Sequence, residues 1–173
     1  SLLNAWPMGF YHPATLVKDA QHHGTCVRPV DVTRSGWMCR WEEGTAQRHG
    51  SGAVRLGLRF VKGLRQETGE RIEGEQAAAP FRSVDDLAAR ARLRPDELDK
   101  LAYAGAFAAF GRTRREALWQ VAKVARKAGP LFAGIPTEDP SPLPEMTPIE
   151  ETRADYVATE ITTGAHMLAH LRD

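Results

Sequence analysis

Lys62-Gly63-Leu64-Arg65 sets a glycine between two cations, at the end of a strand-like run and just before a helical pattern that begins at Gln66. A glycine at such a corner lets backbone approach a ligand closely. The first N–H groups of the following helix lack intrahelical partners and, with the helix dipole, form an anion site. A second apolar-Gly-apolar turn, Tyr103-Ala104-Gly105-Ala106-Phe107, lies 42 residues further on from glycine to glycine, with Arg112, Arg114 and Arg115 beyond it. Lys62, Arg65 and these three arginines could neutralise phosphates, and backbone amides after Gly63 and Gly105 could grip them, positioning a nucleic acid without reading its sequence. A glycine in a helix corner is also an ordinary structural device, so both readings stay open.

Other chemistry finds little support. The acidic pairs Asp85-Asp86, Glu42-Glu43 and Glu150-Glu151 stand at helix starts or in loops, where solvated caps account for them. No Asp-x-Asp occurs in a strand context, so two-metal phosphoryl transfer has no visible ligand set. His22, His23, Cys26, Cys39 and His49 match no common zinc spacing. Walker-type and Gly-x-Ser-x-Gly loops are missing. The expectation is a segment without catalytic residues, metal or cofactor.

The net charge of +1 conceals an asymmetry: residues 1–52 sum to +1, residues 53–127 to +6 and residues 128–173 to −6. A basic centre with an acidic tail suits a polyanion partner, the tail avoiding that partner or meeting another. Two cysteines make no disulfide framework, and no apolar run approaches a membrane span, so a reducing, cytoplasmic setting without membrane is expected. The chain opens without Met and in mid-pattern, as expected of a piece of a longer chain.

The elements that must position the turns follow from pattern. Pro13 opens a helix that Gly24 ends. Val27–Val30, Trp37–Trp41 and Ala53–Phe60 read as strands of a small antiparallel patch. A helix over Gln66–Ala78 carries Leu64, Thr68 and Ile72 at helical spacing, and Gly69 and Gly74 each weaken it by about 1 kcal/mol. Ser83 caps a helix, Pro95 starts another that leads into Gly105, and Thr113 with Glu116 forms a capping box for a third. Six of eleven prolines fall between Pro130 and Pro148, which predicts a linker before a helix at Thr147-Pro148. The fold class is mainly α with a small antiparallel β patch.

The residues also carry a resemblance. Asn4-Ala5-Trp6-Pro7-Met8-Gly9-Phe10-Tyr11-His12-Pro13 and Val27-Arg28-Pro29-Val30-Asp31-Val32-Thr33-Arg34-Ser35 resemble signatures of the bacterial C-family DNA polymerases, the family of the DNA polymerase III alpha subunit and its error-prone, damage-induced relative. Val54–Ile72, and the run from Pro80-Phe81-Arg82-Ser83 through Gly105-Ala106-Phe107 to Thr113–Leu118, resemble that family's tandem helix-hairpin-helix unit. Leu143-Pro144-Glu145-Met146-Thr147-Pro148 with Asp155-Tyr156 looks most like the error-prone branch.

The resemblance implies that residues 1–52 are the end of a fingers region, 53–127 a tandem helix-hairpin-helix module, and 128–173 a connector toward a following domain. It implies a parent DNA-directed DNA polymerase whose catalytic aspartates and Mg2+ belong to a palm region with no counterpart here. The expected partners are duplex DNA, the remaining polymerase domains and an accessory protein that recruits the polymerase to lesions. Two positions depart from the pattern: Arg65 stands where the first hairpin commonly has Gly, and Ala128 stands where alpha subunits begin a clamp-binding peptide with Gln, which argues against direct sliding-clamp binding. A rival reading is a protein-interaction module. If the segment holds DNA, the amides after Gly63 and Gly105 should be exposed on one face; a turn buried beneath the acidic tail would favour the rival.

Overall fold

A computed structural model describes residues 2–7, 11–43, 52–127, 144–167 and 169 of the chain. Side chains of residues 123–127 are outside that description, as are Ala128 and the part of the expected proline-rich linker up to residue 143.

Helix α1 spans Pro13–His22, with Pro13 at its first turn and the His12 ring nitrogen Nδ1 accepting from the Ala14 N–H at 3.3 Å. Gly24, at φ +83°, follows its end. Three short strands come next: β1 (Cys26–Arg28), β2 (Arg40–Glu43) and β3 (Gly52–Arg55), in the order β1-β3-β2. β2 and β3 are antiparallel, as expected, but β1 lies parallel to β3 with Val27 opposite Val54, so the sheet is mixed. Alternation of apolar and polar residues defines a strand's faces and leaves its direction open.

The expected strand through Phe60 stops at Arg55, because Leu58–Phe60 turns into a 3-10 helix. The partnership survives in another form: the Leu58 and Arg59 amides donate to the Gly36 and Trp37 carbonyls at 2.9 and 3.1 Å. A Cβ on Gly57 would collide with the Trp37–Cys39 backbone, so only glycine permits this crossing. Arg55 is buried and holds both Glu42 oxygens, at 2.9 and 3.0 Å, and the Pro29 carbonyl at 3.0 Å. One of the central bases is therefore a structural residue.

Helix α2 spans Gln66–Ala78, α3 Val84–Arg90, α4 Pro95–Tyr103, α5 Arg114–Lys127 and α6 Pro148–Thr159. Leu64, Thr68 and Ile72 are buried, so the expected stripe of α2 faces the core. Ser83 Oγ caps α3 by accepting from the Asp86 N–H at 3.1 Å. The Thr113–Glu116 box of α5 is closed in both directions, at 2.8 and 3.3 Å. A single apolar cluster runs from Leu3 through Val32, Leu56, Ile72, Leu101 and Phe107 to Ile161. The buried face of α4 (Leu98, Leu101, Ala102) lies at its middle, and α4 joins one glycine turn to the other.

Candidate nucleic-acid interface

The first turn connects the 3-10 segment to α2. Gly63 takes φ +72° and is exposed, while Leu64 beside it is buried and its amide donates to the Val61 carbonyl at 3.1 Å. One side of the turn is thus anchored and the other presented. The amides of Arg65, Gln66 and Glu67 have no acceptor among the described residues. They stand at the N-terminus of a thirteen-residue helix, where the dipole favours an anion.

The side chains expected to flank this turn are already engaged. Lys62 Nζ lies 2.8 Å from Glu160, and the Lys62 backbone N–H donates to the Ala158 carbonyl at 2.9 Å. Arg65 Nε donates to Glu97 at 2.9 Å. Glu97 is 1% exposed, yet it accepts three hydrogen bonds, from Arg65, from the Thr68 hydroxyl at 2.7 Å and from the Arg94 N–H at 3.1 Å. Burial pushes this carboxyl up, but these donors outweigh it and hold the group below the usual carboxylate range. One helical turn later, Lys100 Nζ donates to the Gly63 carbonyl at 3.0 Å. α4 therefore fixes the first turn at two points, and Arg65 is accommodated because Glu97 receives it.

The second turn differs. Gly105 also takes φ +72°, but it is partly covered, and Ala106 and Phe107 are buried. The Gly105 and Ala106 amides close α4 by donating to the Ala102 and Leu101 carbonyls, each at 3.0 Å. The Ala106 carbonyl receives the Val32 N–H at 3.0 Å, so the Asp31–Ser35 loop braces this corner. A 3-10 segment, Ala108–Phe110, ended by Gly111 at φ +68°, stands between the turn and the expected helix α5. A Cβ on Gly105 would lie 2.9 Å from the Arg114 guanidinium, which roofs the turn. The expected shared face of open amides is thus present at Gly63 and absent at Gly105.

The roof is held by the acidic helix. Arg114 meets Asp155 at 2.6 Å and the Glu151 carbonyl at 3.0 Å, and Arg115 meets Glu150 at 2.9 Å. Arg112 is half-buried and has no ion pair among the described residues. α6 also buries Ala154 and Ala158, and Ile161 follows them into the core. A cleft of about 300 Å³ is lined by Lys62, Lys100, Tyr103, Leu118 and Val157. No signal local to the sequence could pair Glu160 with Lys62 or Asp155 with Arg114, residues far apart in the chain; only the charge asymmetry hinted at it.

Among the described residues no helix is long and apolar enough to cross a membrane, and no group of three or more His, Cys, Asp or Glu is placed to hold a metal ion. The family model described as "Helix-hairpin-helix motif" matches residues 24–117. The chain is 46% identical to the error-prone DNA polymerase of Burkholderia pseudomallei (strain K96243) over 175 residues, covering 99% of this chain and 16% of that protein. It is 46% identical to the error-prone DNA polymerase of Azoarcus sp. (strain BH72) and 45% identical to that of Pseudomonas aeruginosa, again over 99% of this chain and 16% of each relative. The chain thus spans about a sixth of the length of the curated relatives it matches.

Proposed function

The chain belongs to the helix-hairpin-helix family, and on that premise we propose that it is a duplex-DNA-holding segment of an error-prone DNA polymerase. The parent acts as a DNA-directed DNA polymerase in translesion synthesis, in the cytoplasm. Catalysis, with the Mg2+ it uses, belongs to a palm region elsewhere in the parent and not to this segment. The observation that carries the reading is the exposed Gly63 turn, with open amides at Arg65, Gln66 and Glu67 beside Lys62. Phosphate contacts of this kind hold a duplex in register without reading bases.

The first turn is the primary grip. The second contributes through the half-buried Arg112 and through Arg115, because its own amides close α4. Titration of the 173-residue chain into a labelled mixed-sequence duplex at two salt concentrations tests the reading. A Kd on the order of 10⁻⁴–10⁻⁶ M at physiological salt, rising steeply as salt rises, is expected. An affinity indifferent to salt would sink it. Lys62→Ala should weaken binding to all sequences alike, and primer extension by this segment should be absent.

One observation favours the interaction reading: the acidic helix sits against three of the bases first assigned to phosphate. In that reading the module docks other polymerase domains or an accessory recruiting protein, and a sliding clamp is not bound directly. The open amides at Gly63 have no use in it, so DNA holding is preferred.

A further inference from the structure

Resting on the duplex-DNA reading, we infer that helix α6 is a built-in counter-ion for the basic face: duplex DNA binds by exchanging phosphates for its two outer carboxylates while the helix stays seated. Glu150, Asp155 and Glu160 meet Arg115, Arg114 and Lys62 in turn. Ten residues separate the outer two, roughly 15 Å along a helical axis, about four phosphate steps of one DNA strand. Steps of five residues turn the three acids to different sides of the helix, and the outer two span the length of a short stretch of DNA backbone.

The three pairs are not equivalent. In the central pair the side chains are 11% and 22% exposed. Asp155 also accepts from the Thr162 hydroxyl at 2.9 Å, and Arg114 also holds the Glu151 carbonyl. With Ala154, Ala158 and Ile161 buried beside it, this pair belongs to the seat of the helix. In the outer pairs Glu150 and Glu160 are each 48% exposed, Lys62 is 49% exposed, and Arg115 is 23% exposed. Exposed pairs are weak and readily exchanged. Glu160 keeps a second partner when Lys62 leaves it: His12 Nδ1 accepts from the Ala14 N–H, which leaves Nε2 to donate to Glu160 at 3.1 Å. The Lys62 backbone stays fixed on the Ala158 carbonyl, so only its side chain swings.

The test compares Glu150→Gln/Glu160→Gln with Glu151→Gln in the 173-residue chain, by anisotropy of a labelled mixed-sequence duplex across a salt series. Gln preserves the capping box that Glu150 makes with Thr147. Glu151 lies on the same helix, exposed, and its side chain has no ion pair among the described residues. The double variant should bind about three- to tenfold more tightly at low salt, and its plot of log affinity against log salt should steepen by about one to two. Glu151→Gln should change affinity less than about twofold, since it removes charge without freeing a base. If Glu151→Gln alone gave about half or more of the double variant's gain in log affinity, as one of two equivalent charges would, simple repulsion would explain both, and no gain from the double variant would show that the pairs persist on DNA; either overturns the inference while leaving DNA binding standing. Binding by the double variant alone would support it most strongly. If neither the parent chain nor the double variant binds duplex at low salt, the DNA-holding reading itself fails and takes the inference with it.

Discussion

Glu97 is a buried carboxylate inside the most basic part of the chain, beside a turn that should attract anions. Its placement makes sense as a joint: it ties Arg65 and Thr68 of the first turn and α2 to the start of α4. Arg65→Gly would restore the residue common at this hairpin position yet leave Glu97 short of a donor. Urea denaturation should show a loss of about 1–3 kcal/mol, the range for depriving a buried polar group of a partner. A gain in stability would show that Arg65 merely strains the turn. The acid limb supplies a second reading of the same joint. Because the folded carboxyl is held low, it contributes stability above the unfolded value of about 4.3, and that contribution is lost as pH falls through the folded value. Glu97→Gln should therefore lower stability at neutral pH and flatten the decline below about pH 4.3 relative to the parent chain. From sequence, Arg65 read as a phosphate contact, and Glu97 fell without remark in the helix that Pro95 starts. Each reading used only local neighbours, and the partner lies 32 positions away.

At the scale of elements, α2 carries two glycines that the sequence treats alike. Both weaken an isolated helix by about 1 kcal/mol. In the fold they part company. Gly69 is buried against the Trp37 ring, and an added Cβ would overlap it. A Cβ on Gly74 would meet no heavy atom within 4 Å. Gly74→Ala should stabilise by about 0.5–1 kcal/mol, whereas Gly69→Ala should destabilise by about 1–3 kcal/mol through overpacking. Paired urea curves would decide, and the same sign for both would undo the packing argument. The limits of α2 were legible because its apolar stripe and N-terminal turn agree. The direction of β1 was not, because three residues with one buried side chain carry no information on parallel or antiparallel pairing. The roofing of Gly105 was equally hidden, since it depends on Arg114 reaching a helix some forty residues on.

Across the whole molecule, the basic centre and acidic tail described by the charge sums fold onto one another, and two different forces share that contact. Ion pairs line its rim, while Ala154, Ala158 and Ile161 fill its base. Rim pairs between exposed side chains are screened over about 8–10 Å at moderate salt, but burial of apolar surface is not. The docking of α6 should therefore survive salt that abolishes DNA binding. Ile161 is 2% exposed, and Ile161→Ala should cost about 2–4 kcal/mol. That loss, measured by urea denaturation, should be nearly the same in about 50 mM and about 500 mM NaCl, roughly tenfold apart. If it collapsed at high salt, the helix would be held by its charges, and duplex DNA would displace α6 bodily instead of trading partners along its edge. A constant loss would mean that apolar packing sets where the acidic helix sits, leaving Glu150 and Glu160 free to set only how readily Arg115 and Lys62 are given up to phosphate.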